Sequence, residues 1–174
     1  MENYSTDYFN ENKKLEFASF WKRFVAEIID AVIFSFVNFI LLGFYFFKEL
    51  SLEELTYETL STSPEFKEFT LISAFINIFH FTLMESSRYQ ATLGKSLMKI
   101  KVGSELGERI EFGQALIRNL GKAFFSLLGF VPFFSPYSAT LGLIYLFTCL
   151  MVIWDMNKQA LHDKLSKTFV FVKE

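Results

Sequence analysis

Arg23, Glu27, Asp30 and Asn38 follow one another at intervals of four, three and eight residues, at the head of and within a run of Phe, Ile, Leu and Val between Phe24 and Phe47. At about 100° per residue they fall within roughly 80° of one another, so a helix would carry them as one polar stripe. A carboxylate in such a run can exchange a proton for a cation, and an ionisable group there faces a protein interior or a watery cavity by default. Asp30 lies too far from Arg23 for an ion pair along one helix, since seven residues rise about 10.5 Å. Its charge partner is therefore expected from another segment. Glu27 could instead pair with Arg23 at i,i+4 and orient the helix at headgroup level. A second set, Ser73, Asn77 and His80, shares one face of another apolar segment. His80 is either a proton carrier near neutral pH or an interhelical hydrogen-bond contact. Glu27, Asp30, Asn77 and His80 make up the candidate ion or proton site.

The elements that must position these groups are apolar helices. Of the 24 residues from 24 to 47, 16 are Leu, Ile, Phe or Val. Such a helix is about 36 Å long, enough to cross a hydrocarbon core of about 30 Å. Three further apolar stretches follow, at about 66–84, 118–134 and 137–154. The 118–134 stretch, the third overall, carries Arg118 and Lys122 early and Pro132 near its end, so it reads as an interfacial amphipathic helix running into a crossing, or as a re-entrant segment. Of the 17 Lys and Arg, 15 lie in the N-terminal tail through Arg23, the 85–122 loop and the tail after Trp154. The 48–68 loop holds the other two and six acids. This asymmetry predicts both termini and the 85–122 loop in the cytoplasm, hence an even number of crossings, four fitting best. The expected fold is an all-α integral protein of the cell (inner) membrane, one domain over 19–174 behind a polar cytoplasmic tail over 1–18.

Within the 85–122 loop, Lys99–Val102 and Arg109–Phe112 both alternate polar and apolar residues around Gly103 and Gly107, the pattern of a short β-hairpin. Thr168–Val172 is a third β-prone run that could pair with it. Gly94-Lys95-Ser96 resembles the end of a phosphate-binding loop, but Tyr89 stands where its first glycine belongs. No Gly-x-Ser-x-Gly, His-Glu-x-x-His or paired-Cys metal spacing occurs, so no catalytic set, cofactor or metal is expected. A net charge of −2 argues against nucleic-acid binding. The single Cys149 has no internal disulfide partner and reads as a small buried apolar residue. The acidic start of the chain is a poor signal-peptide n-region, so the first helix is expected to remain as an uncleaved anchor.

Four segments in order resemble one family of multi-pass membrane proteins. They are Phe20-Trp21-Lys22-Arg23-Phe24 leading to Asp30, Thr92-Leu93-Gly94-Lys95-Ser96-Leu97 with Ile100-Lys101-Val102, Phe112-Gly113-Gln114-Ala115-Leu116-Ile117-Arg118-Asn119-Leu120, and Gln159-Ala160-Leu161-His162-Asp163-Lys164-Leu165. The chain resembles the RDD family over about residues 19–172. The resemblance implies that the family's arginine and two aspartates are Arg23, Asp30 and Asp163, with Gly94, Lys95, Arg118 and His162 as a cytoplasmic motif. Two departures stand out. Gln90-Ala91-Thr92 replaces the family's Gly-Gln-Thr, and Ser166-Lys167 replaces its Ala-Gly. For activity the resemblance implies little beyond a suggested transport role, here a cation/proton transporter working through Asp30. The rival reading, a membrane scaffold or accessory protein with a membrane or cytoplasmic protein partner, rests on the polar stripes as contacts between helices and on the cytoplasmic loop as a binding surface. A transporter of four short spans would need to be a homo-oligomer. His162-Asp163, the one pair open to an enzymatic reading, more simply caps and anchors the last helix. Arg23 and Asp163, of opposite charge at the cytoplasmic ends of their segments, are expected to meet.

Overall fold

The computed structural model describes residues 15–46, 63–129, 131 and 135–173. Most of the expected polar tail, most of the acidic 48–68 loop and the end of the third apolar stretch lie outside them. The order is α1 (Phe20–Phe46), α2 (Pro64–Glu85), α3 (Leu93–Leu97), β1 (Ile100–Gly103), α4 (Phe112–Leu128), α5 (Ser138–Leu150), α6 (Leu161–Leu165) and β2 (Phe169–Val172). A 3-10 turn leads into α5 and another, Met151–Ile153, continues it. Among the described residues, one helix is long and apolar enough to cross a membrane, over Phe20–Gly43. The fold is thus mostly helical, with one long apolar helix and a two-stranded sheet.

α1 has no helix-breaking residue until Gly43 and is held by its apolar run. α2 starts where Pro64 supplies the first helical position and the Ser63 hydroxyl accepts from the Phe66 N–H at 3.1 Å. It ends at Ser86, whose hydroxyl turns back to the Thr82 carbonyl at 2.7 Å. α4 packs against α2, α5 and α6, while α1 packs chiefly against α3 and touches α2 only lightly. That weak α1–α2 contact leaves a cleft.

The expected hairpin is corrected by the sheet. β1 pairs antiparallel with β2, Ile100 opposite Val172 and Gly103 opposite Phe169. The 109–112 run is no strand: Ser104 donates its N–H to the Glu108 carbonyl at 2.9 Å, closing a tight turn, and Phe112 already begins α4. The alternation around Ile110 reflects burial of that one side chain against the sheet, not ladder pairing. The helix starts there because the Gln114 side chain reaches back to the Glu111 N–H at 3.1 Å. Arg118 and Lys122 accordingly lie within one helix that runs on to Leu128.

Residues 16–18 lie along the other edge of β2, with Ala18 N–H bonded to the Val170 carbonyl and Val172 N–H to that of Glu16, both at 2.8 Å. The apolar core sits at this end of the molecule: Ala18, Ala26, Ile100, Val102, Ile110, Ala115 and Val170. Phe17, Phe169 and Phe171 stack on the opposite face of the sheet.

Candidate functional site

Beside that core the sequence places charges in an alternating chain. Arg23, one turn into α1, donates to Asp163 Oδ2 at 2.7 Å, the expected contact. Arg118 of α4 reaches the other oxygen of Asp163 and, through Nε, lies 3.1 Å from Glu85 Oε2. Lys95 of α3 binds Glu85 at 2.8 Å and Glu27 at 3.2 Å, and Lys122 closes the series on Glu27 at 2.6 Å. Arg23, Arg118, Lys95 and Lys122 therefore share Asp163, Glu85 and Glu27. The carboxylate of Asp30, buried alongside, makes four charges of each sign. Such a group holds together only because nearly every buried charge has an opposite neighbour; removing one partner strands another.

Each position is set locally. Asp163, in the first turn of α6, also accepts the Ala160 N–H at 3.0 Å, so one fully buried carboxylate caps its own helix and joins two arginines. Burial alone would raise its pKa, but the Arg118 and Arg23 guanidiniums outweigh that and hold it well below the usual carboxylate range. Burial would likewise raise Glu85, yet Lys95 and Arg118 hold it at about 2. For Lys95, burial works downward and Glu27 and Glu85 work upward; the carboxylates win, keeping it charged. His162 goes the other way. Burial pushes its imidazole down to about 3 against the pull of Asp163, so it sits neutral beside the carboxylate at 3.3 Å.

Asp30 does not meet the charge partner expected for it. Its Oδ1 accepts the Gly94 N–H at 2.7 Å, and Oδ2 accepts the Thr92 hydroxyl. Thr92 in turn caps α3, its oxygen 3.4 Å from the Lys95 N–H. Asp30 thus fastens the start of α3 to α1. Gly94 is required for this approach, since a Cβ there would lie 2.2 Å from the Ala26 carbonyl oxygen and 2.9 Å from the Asp30 carboxyl carbon. Glu27 does not pair with Arg23 either, but with the two lysines.

The candidate ion or proton site is only partly assembled. Glu27, Asp30 and Asn77 line a cleft of about 340 Å³ between α1, α2 and α4, with Asn119, Lys122 and Tyr145. His80 is exposed elsewhere on α2, with its ring edge-on to Phe81, and is not part of the cleft. The cleft is lined from α2 by Ala74, Asn77, Ile78 and Phe81, and His80 lies about 60° from Asn77 on the side away from the other three. Glu85, Asn119 and Thr92 join the site unexpectedly, the last two standing in the family motifs but with no role assigned to them. Glu85 had a signal: it is the one acid at the C-terminal end of α2, next to a basic loop. Asn119 bonds its carboxylate at 3.1 Å. Cys149 is partly buried. Among the described residues, no group of three or more His, Cys, Asp or Glu is arranged to hold a metal.

The fold and this site define a mostly helical protein whose one end is fastened by buried, mutually neutralising ion pairs. The family model described as "RDD family" matches residues 17–167, which include every member of the ionic group. The chain belongs to the RDD family. It is similar to the uncharacterized protein YxaI of Bacillus subtilis (strain 168), with 30% identity over 168 residues, 90% of this chain and 97% of that protein. No solved structure matches.

Both departures from the family pattern fall on left-handed backbone. Gln90 has φ 54° and Lys167 φ 52°, where the family pattern carries glycine. Gln90 is compensated by its side chain, which donates to the Val102 carbonyl at 3.0 Å. No such bond is seen for Lys167.

Proposed function

We propose that this is a four-span protein of the cell membrane, with both termini and the 85–122 segment in the cytoplasm, and that it serves as a membrane scaffold or accessory protein. Apolar side chains on three helices turn outward and support the membrane placement: Phe36 of α1 is 65% exposed, Phe75 of α2 62% and Phe147 of α5 65%. Water would disfavour such faces and acyl chains would not. The scaffold reading is carried by one observation: Asp30, the acid deepest in α1, is bound to a hydroxyl and a backbone N–H as a helix fastener. A group that must take up and release an ion would be poorly served by that attachment. The cytoplasmic end, with β1, β2 and α6, is then the surface that meets a protein partner.

The transport reading has one observation in its favour, the cleft holding Glu27, whose side chain is 43% exposed. Purified protein in liposomes separates the two: the scaffold reading expects no pH-driven cation flux above empty vesicles, and sustained flux would overturn it. Topology is tested by an impermeant thiol reagent on sealed cells carrying Cys149→Ser. Glu54→Cys should label and Glu105→Cys and Lys173→Cys should not; the reverse pattern would invert the orientation.

A further inference from the structure

The cleft between α1 and α2 changes character along its length. Its inner chamber holds Glu27, Asn77, Lys122 and Tyr145, and its outer chamber, about 490 Å³, is walled by Phe39, Leu42, Phe66 and Phe69, with Asn38 and Ser73. The two share Phe34, Ser35 and Ala74, so they adjoin at these side chains. From Glu27 to Phe39 they follow twelve residues of α1, about 18 Å. Both lysine ammoniums bind Glu27 through Oε1. A carboxylate has about four acceptor sites, so Glu27, 43% exposed, can still accept from a ligand. Lys122 stands beside it as a cation. At about 30 Å³ per water-sized group, the outer chamber takes about 16 such groups, comparable to the bulk of one hydrocarbon chain.

We infer that this cleft binds a single-chain amphiphile with a zwitterionic head, its ammonium at Glu27, its anionic group at Lys122 and its tail between α1 and α2. An apolar chamber closed at one end by an exposed carboxylate and a lysine is complementary to that chemistry at both ends. A purely hydrophobic ligand would leave Glu27 and Lys122 facing hydrocarbon, and a small ion would leave the outer chamber unused. The inference rests on the membrane placement proposed above, which thiol labelling tests separately. It does not depend on whether the protein carries ions.

The test is native mass spectrometry of the purified chain from micelles holding equal amounts of lysophosphatidylethanolamine and lysophosphatidylglycerol, which share a tail but differ in the ammonium. The expected result is a one-to-one adduct favouring the ethanolamine lipid about tenfold, equivalent to about 1.4 kcal/mol. Ser35→Trp and Ala74→Trp, which fill the neck from opposite walls, should each reduce the adduct by a similar factor. Glu27→Gln, nearly isosteric, should retain tail binding and lose the head preference. Monodispersity on gel filtration shows which variants fold. Equal adducts of both lipids, unchanged by a folded neck variant, would show lipid held only on the outer helix faces and overturn the inference. So would the absence of any adduct with the wild-type chain.

Discussion

The inner and outer halves of this molecule are built on different physics. At the inner end, α3, α6 and the sheet enclose an apolar core against the first turns of α1 and α4, and seven charged side chains pair around it. In the outer half, α1, α2 and α5 turn Phe, Ile and Leu outward and meet one another lightly. Specificity at the inner end comes from pairs that fail when one member is lost. The outer half draws its order from the solvent around it, so single changes there cost little. The contrast teaches where a family resemblance carries structural constraint: the family's arginine, both aspartates and the motif residues Lys95 and Arg118 all sit at the inner end, bound to one another, to Glu27 and Glu85, or to Thr92 and the backbone.

The strongest way to break the contrast is at Arg118, which joins Asp163 to Glu85. Arg118→Met leaves two buried carboxylates short of a cation and should cost about 3–5 kcal/mol. Leu143→Ala, on an exposed face of α5, should stay within about 0.5 kcal/mol. Unfolding midpoints in detergent compare them, and similar losses at the two sites would dissolve the distinction. Gly94→Ala comes next. Its methyl group would collide with the Ala26 carbonyl, pushing α3 off α1 at about 1–3 kcal/mol. Thermal melts check it, and a neutral outcome would mean the two helices are not so closely seated.

Acid should also find the inner end first. His162 is neutral when folded, with a pKa of about 3 against 6.5 unperturbed. The unfolded chain therefore binds its proton more readily, and stability falls as pH drops from 6.5 toward 3. Glu85 adds a loss of the opposite origin. Its folded pKa of about 2 lies below the unfolded 4.5, so its contribution is complete above 4.5 and disappears toward 2. Melting midpoints against pH should decline from about 6.5 in the wild type. In His162→Gln the decline should start only near 4.5. An unchanged onset would remove His162 from the account. The smallest effect sharpens the comparison within the inner end itself. Lys167→Gly relieves a left-handed backbone position that costs about 1–2 kcal/mol, offset in part by glycine's greater unfolded entropy. A net gain of up to about 1 kcal/mol is expected in the same melts.

The chain disclosed its long helices readily, because apolar runs are local: the run at about 66–84 marks α2, which the Ser63-Pro64 cap begins two residues earlier. It disclosed that Arg23 and Asp163 meet, because each sits at the inner end of a segment and their charges oppose. The partners of Asp30 were not legible. They come from a five-residue helix 62 residues away, and a hydroxyl and a backbone N–H leave no charge signature. The sheet was half legible. Alternation identified β1 and β2 as strand formers, but pairing depends on how α6 returns the chain, which period alone does not encode. His80 shows the limit of a stripe argument, since shared spacing on one helix does not say which neighbour the face will meet.

Asp30 tests the central claim most directly, namely that these charges fasten and do not cycle. In proteoliposomes, cation flux driven by a pH step is measured for wild type and Asp30→Asn side by side, with each protein's unfolding midpoint. Asn keeps an oxygen for the Gly94 N–H and lets the Thr92 hydroxyl turn to accept, so a cost of about 1 kcal/mol or less is expected. The flux of the two proteins should be indistinguishable. A wild-type flux that the well-folded Asp30→Asn protein lacks would contradict the account and make Asp30 an ion-carrying group.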